Sequence, residues 1–443
     1  MPEPVKTALS LAAALLFLWS AVWCIRRVFS PEPAPHYTEP SSRSRCWAAI
    51  AGAAFILVLH LIFAVTAHIN YPEADFRQAI EWQFYGNTDS RHYLDLSIYG
   101  YGTQEAFPEQ YLQIVFFPLY PALLHILHFV TRIDAFWLGF AVQLPLFVAA
   151  TASFYTVIAR RWDEQTAALS LALLLASPAS VFFAVPMTES LFLPLTVRYV
   201  LTLEREQWWR CALLGVLAGL CRAPGGLLLG LTGLYLFMRW RRGTRPTIPS
   251  LLAMLSPAAG LGLYFLLNYL VYGRWNQYQI YQWDNWNQKL GLFTNTVRYH
   301  LDYMAQWWDS SPKSALALCL AAVLCLLTIL ALLSATVRRL PAHWLGFGLA
   351  YFAVTMGTTW LISAPRYAVG LFCLPVALAL LLQGRPRLTK GVLVTQVIVS
   401  VIYTMQFLYG WPIYQKTACL LNAETGSFLI QPFLTFSVMR PAA

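Results

Sequence analysis

The chain has 443 residues, of which 58% are hydrophobic and only 11% charged, and it carries a net charge of +10. Soluble domains carry about 25% charged residues, so the composition excludes a water-soluble globular protein and specifies a polytopic membrane protein. The positive excess does not point to nucleic acid, because it is gathered in short loops. These hold Arg26, Arg27, Arg43 and Arg45; Arg239, Arg241, Arg242 and Arg245; Arg338 and Arg339; and Arg385, Arg387 and Lys390. Such clusters mark cytoplasmic loops.

Apolar runs of about 17–25 residues cross the hydrocarbon as helices. In chain order they lie at 8–24, 47–69, 115–131, 135–158, 166–185, 188–203, 211–237, 250–271, 314–336, 342–362, 367–383 and 391–410. The expected fold is therefore an all-α bundle of about 12 transmembrane helices. The first run has no Ala-x-Ala-like cleavage site and reads as a retained helix. A proline-rich linker, 31–44, follows it and makes it an appendage to the body. Three regions result: 1–45, the first helix and basic linker; 46–313, the module holding both large external loops; and 314–443, the last helices. Counting crossings leaves 70–114 and 272–313 outside. By the same count Arg160 and Arg161 also fall outside, against the charge rule, with Asp163 and Glu164 partly balancing them. Eight cysteines are scattered singly with no metal-ligand spacing, so neither a disulfide framework nor a zinc site is expected.

Loop 70–114 concentrates the acidic side chains Asp75, Glu81, Asp89, Asp95, Glu105 and Glu109 among aromatic residues. Segments 73–84 and 92–99 have the spacing of short amphipathic helices lying in the interface. Gly86-Asn87 separates them and leaves Thr88 or Asp89 to cap the second. For a lone loop Asp, capping is the commoner role. A membrane-proximal position beside Arg91, His92 and Tyr93, followed by Phe116-Phe-Pro-Leu-Tyr-Pro121, raises the alternative of a base. A carboxylate shielded by bilayer and rings has a raised pKa and accepts protons. His92 is an alternative base or an orienting partner, and Asp95 reads as solvent-exposed.

Loop 272–313 alternates rings with amides, among them Gln282, Trp283 and Trp286. An aromatic belt at the headgroups explains the rings, and the same mixture suits a sugar, whose apolar face stacks while its hydroxyls bond to amides. Ionisable residues inside apolar runs cost about 2.5–3.5 kcal/mol at a helix centre, so each is a site hypothesis. Arg222, beside Ala-Pro-Gly-Gly226, and Arg366, in Ser363-Ala-Pro-Arg-Tyr367, are placed to hold a phosphate through a bidentate fork. For Arg366, snorkelling to the interface is the plain alternative. Glu189 either holds a functional partner or stabilises a helix N-terminus by its charge.

Taken in order, Asp89-Ser-Arg-His-Tyr93, Tyr99-Gly-Tyr101, Phe116-Phe-Pro-Leu-Tyr-Pro121, Ser177-Pro-Ala-Ser with Thr188-Glu-Ser-Leu-Phe192, Arg222-Ala-Pro-Gly225 and Ser363-Ala-Pro-Arg-Tyr367 resemble the PIG-V family. These are the GPI mannosyltransferases that add the second mannose, with their bacterial relatives. The resemblance spans about residues 75–370. Its departure is Asn87-Thr88 before Asp89, where the GPI enzymes often carry Trp-Asp, and this bears on the acceptor more than on the reaction. The resemblance implies a GT-C glycosyltransferase fold and an inverting transfer of a sugar from a polyprenyl-phosphate donor to a lipid or glycan acceptor. It implies Asp89 as general base; Arg222 and Arg366, with Arg91 third, are candidates for the donor phosphate, and Arg91, His92 and Tyr93 are supporting residues. Trp283, Trp286 and Gln282 are the candidate sugar or acceptor contacts. No metal, no cofactor and no nucleic-acid partner are expected. The expected location is a plasma (inner) membrane with the site on the external or periplasmic face, or the endoplasmic reticulum in a eukaryote. A polyprenyl-lipid or small-molecule transporter is the rival reading, because prolines at 178, 186 and 224 break helices as transporters do.

Overall fold

The computed structural model of the protein describes residues 2–30, 37–86, 88–101, 113–286, 288–361, 363–409, 419–421 and 428–430. Glu105 and Glu109 lie outside them. The helices are α1 Glu3–Phe29, α2 Ser42–Asn70, α3 Phe76–Ile80, α4 Ser90–Tyr99, α5 Leu119–Thr131, α6 Ala135–Ala141, α7 Gln143–Arg161 and α8 Glu164–Leu175. They continue with α9 Glu189–Glu204, α10 Trp208–Cys221, α11 Leu228–Arg241, α12 Ile248–Tyr272, α13 Gln277–Trp286 and α14 Phe293–Trp307. The last are α15 Pro312–Ser314, α16 Ala321–Ala335, α17 Ala342–Thr355, α18 Ala364–Val369, α19 Cys373–Leu382 and α20 Pro386–Leu408, and the short strands Cys419–Leu421 and Phe428–Ile430 pair antiparallel. Among the described residues, six helical stretches are long and apolar enough to cross a membrane: Glu3–Phe29, Ser42–Asn70, Ala135–Arg161, Ile248–Tyr272, Pro312–Ala335 and Pro386–Leu408. Apart from the two short strands, the described residues are those of an all-helical membrane protein.

Loop contacts define two ends. At the basic end Arg160 pairs with Glu39 (2.7 Å), Arg205 with the same carboxylate (2.7 Å), and Arg161 with Glu204 (3.2 Å). Arg27 donates to the carbonyl of Val337, and Gln383 to Thr166. At the opposite end Asn70 bonds to Gln83 and to the Leu408 carbonyl, and Arg77 pairs with Asp134. Arg160 and Arg161 thus share an end with Arg43 and Arg45, which corrects their expected outside position.

The physical reason lies in two misread runs. Run 115–131 was counted as a crossing, yet α5 has 13 residues, about 20 Å of helix against a hydrocarbon core of about 30 Å. Its His125 ring bonds to the Ser97 carbonyl of α4, and its far end leads to Asp134 beside Arg77, so it starts and finishes at one end of the bundle. Run 211–237, counted once, is two helices that turn at Arg222, where the backbone is extended (φ −158°, ψ 151°) and Ala223–Leu227 forms a 3-10 turn. With both corrections, Glu189 and Arg222 come to the end that carries Asp89.

Helix α1 is not an appendage. It packs on α14, α16 and α17, pairs Lys6 with Glu3 and Asp302, and joins Ser20 to Ser334. In loop 70–101 the first helical segment starts three residues later than expected, at Phe76, and runs on as a π-helix, Glu81–Tyr85. Asp75 caps α3 in a capping box with Gln78. The second helix, α4, starts at Ser90, close to its expected place.

Candidate active site

Asp89 sits in the N-cap position of α4, but its side chain makes no capping bond. The Thr88 hydroxyl accepts from the Ser90 amide instead. The Asp89 carboxylate is therefore available for another partner, and Oδ2 accepts from Arg366 at 2.7 Å. Arg366, 4% exposed on α18, also donates through Nε to Glu189 Oε1 at 2.6 Å. The same oxygen accepts from Arg222 at 2.8 Å. Two carboxylates and two guanidiniums, from positions between 89 and 366, thus form one chain of ion pairs, Asp89–Arg366–Glu189–Arg222.

Each element presents its member for a local reason. Glu189 opens α9, where its charge meets the unsatisfied amides of the first turn. It is 1% exposed, and its Oε2 has no hydrogen-bond partner among the described residues. It is at once the N-terminal anion of α9 and the counter-ion of two arginines. Arg222 is placed by the tight crossing of α10 and α12. A Cβ at Gly219 would lie 2.3 Å from the Pro257 carbonyl oxygen, and one at Gly260 would lie 2.1 Å from that of Val216. Only glycine allows the backbones this close, and the turn that follows delivers the guanidinium to Glu189. Arg366 does not snorkel; it is buried between its two carboxylates and lies over the Phe182 ring at 5.6 Å.

A cleft of about 690 Å³ opens on this cluster. Asp89, Tyr93, Arg222 and Arg366 line it together with Gln282, Trp283, Gln288 and Lys289. The sequence therefore named lining residues from both external loops and from the Arg222 and Arg366 segments. Trp286 closes α13, and its side chain is outside the described residues. Lys289 and Thr358, which also line the cleft, were missed. Lys289 lies over the Trp283 ring at 3.7 Å and has no carboxylate partner among the described residues. A lysine in an interfacial loop carries no distinguishing signal in sequence, and only the preceding run of amides and rings hints at it.

Three expectations need correction. Arg91 does not face the cleft; its Nε lies 3.6 Å from Asp95, which is partly covered and accepts from Gln113 rather than standing in solvent. The His92 ring stacks on Phe116 with centroids 4.7 Å apart, its Nδ1 has no partner among the described residues, and burial pushes its pKa down to about 4. It is not among the residues that line the cleft. Asp89, expected as a carboxylate shielded by bilayer and rings, is also one leg of an ion-pair chain. Tyr93 lines the cleft beside Phe116 and Tyr120, and burial raises its phenol above the ordinary value.

The fold and cleft define an all-helical membrane protein with a charged pocket at one end. Compared with protein-family models and with curated proteins, the chain matches none.

Proposed function

We propose that the protein is an integral-membrane glycosyltransferase of the GT-C type. It moves a sugar, taken as mannose from the PIG-V resemblance, from a polyprenyl-phosphate donor to a hydroxyl of a lipid or glycan acceptor. In this reading the long spans and the shorter legs cross the membrane about twelve times, the basic end is cytoplasmic and the cleft faces outward. The observation that carries it is the shared cleft. A carboxylate not used for capping lines the same cleft as Arg222, whose guanidinium has one side-chain hydrogen bond among the described residues, and as the rings and amides of the second loop.

Asp89 takes the proton of the acceptor hydroxyl as that oxygen bonds to the anomeric carbon. The bond from that carbon to the phosphate oxygen breaks, and its electron pair leaves with the lipid phosphate. Arg222 donates through the part of its fork left open by Glu189, and Lys289 supplies the second positive charge against the leaving phosphate. Arg366 is engaged by two carboxylates, so its role is positioning: it fixes Asp89 in its ionised form and orientation. The Trp283 ring and the Gln282 and Gln288 amides serve the sugar. Against the transporter, the helix breaks that suggested it lie at the cleft end, beside Asp89, where transporters place such breaks near the midplane.

The test is transfer of label from polyprenyl-phosphate-[¹⁴C]mannose by the purified protein, with extracted membrane lipid and glycan as acceptors. Wild type is expected to form a labelled product. Asp89→Asn is expected to lose about 10²–10⁴-fold in rate while staying folded, with a smaller fall in melting temperature than Glu189→Gln because Arg366 keeps its second carboxylate. Donor binding by both proteins with no transfer by either overturns the enzyme reading in favour of a carrier.

A further inference from the structure

The basic end holds a second cavity, also about 690 Å³, with no part in the proposed reaction. It is bounded by the start of α2, the middle of α7, the second half of α9 and the start of α10. Arg45, Arg198, Arg205 and Arg210 line it, and no acidic side chain does. Arg205 is committed to Glu39, but Arg45, Arg198 and Arg210 have no carboxylate partner among the described residues.

Arg198 is the anomalous member. In α9 every residue is buried except Arg198 and Leu201, and both face this cavity. Arg198 precedes Glu204 by six positions, so it lies roughly 9 Å inward from the basic end. Its Nε donates to Ser153 Oγ at 3.0 Å, and its terminal nitrogens have no partner among the described residues. A cation at that depth is costly unless an anion meets it. The remaining wall is mainly apolar, with the Thr156 and Thr202 hydroxyls turned to their own helices' carbonyls, and Leu213, 62% exposed, opens it sideways onto the outer apolar surface. Gln207, the N-cap of α10, makes no side-chain capping bond, so the first amides of that helix add to the field for an anion.

We propose that this cavity binds an anionic phospholipid of the leaflet on the basic side. Its phosphodiester sits among Arg198, Arg45 and Arg210, and an acyl chain runs along Leu201 and Leu213. The lateral apolar opening is what selects a lipid over a soluble phosphate, and the unpaired guanidiniums are what select an anionic headgroup over a zwitterionic one.

The test uses the full-length protein, delipidated in neutral detergent, with bound lipid counted by native mass spectrometry. Phosphatidylglycerol is expected to bind at least about ten-fold more tightly than phosphatidylcholine of the same chains, and Arg198→Gln to remove about that factor. Equal binding of the two lipids, or equal phosphatidylglycerol binding by wild type and variant, overturns the proposal. So does competition by inorganic phosphate, which would assign a soluble anion, or a preference for polyprenyl phosphate, which would assign a substrate lipid. Should Arg198→Gln not fold, the exposed pair Arg45→Gln and Arg210→Gln carries the same comparison.

Discussion

At Glu189 one oxygen serves two guanidiniums while the other serves none. A buried charge that loses its partner is strongly penalised, so Glu189→Gln is expected to destabilise the protein by about 3–5 kcal/mol, read as a fall in the denaturation midpoint. Arg366→Lys differs in kind, because it keeps the charge and loses the fork that reaches Asp89 and Glu189 together. Its expected effect is a loss in kcat of about 10²-fold, the size associated with a misplaced catalytic group, with KM for the donor little changed. An equal rise in KM would show instead that Arg366 binds the phosphate. Two buried rings set a pH dependence of stability. Burial pushes His92 and His300 down to about 4, whereas an unfolded chain's histidines titrate near about 6.5. Between those values the unfolded state binds the extra protons, so the contribution of each ring is whole above about pH 6.5 and is lost as pH falls towards 4. The melting temperature is expected to drop over that window, and the drop to be shallower in His92→Phe/His300→Phe.

At the scale of elements, the crossing of α10 over α12 fixes the reach of Arg222. Gly260→Val forces the helices apart, because its Cβ alone would lie 2.1 Å from a backbone oxygen. Overpacking of this kind costs about 1–3 kcal/mol, and here it also draws Arg222 from Glu189, so transfer is expected to fall further than stability. The apolar runs were legible in the sequence because the bilayer demands them, and the α4 start followed from Gly86-Asn87. The direction of each run was not legible. A 13-residue helix lying against α4 and a true crossing have the same composition, and only the contacts of His125 and Asp134 separate them. The helix break at Arg222 was announced by Pro224-Gly225-Gly226 and was read as a disturbance within one span. It is the turn between two.

For the whole molecule, the corrected course of the chain makes a direct prediction. In a cysteine-free background, a cysteine at Glu164 is expected to react with an impermeant thiol reagent from the same side as one at Arg43. A cysteine at Asp309 is expected to react from the other side. Labelling at Glu164 from the Asp309 side would restore the simple count of crossings. The members of the cleft were legible one at a time, since Asp89, Glu189, Arg222 and Arg366 are each costly in apolar surroundings. Their partnership was not, because Asp89 and Arg366 stand 277 residues apart and nothing in either segment names the other.

The chain of four charges also constrains how this sequence can change over time. Its two acids and two bases cancel, so loss of any one strands its neighbour in an apolar interior, while loss of an acid together with its base leaves the sum at zero. Single replacements are thus closed to drift, and the positions become tied to one another in descent. In an alignment of true relatives, residues 89, 189, 222 and 366 should be inherited as a block or exchanged in compensating pairs. Arg91 and Asp95, paired with each other at the rim and joined there by Gln113, stand apart from that chain and should vary independently of the block.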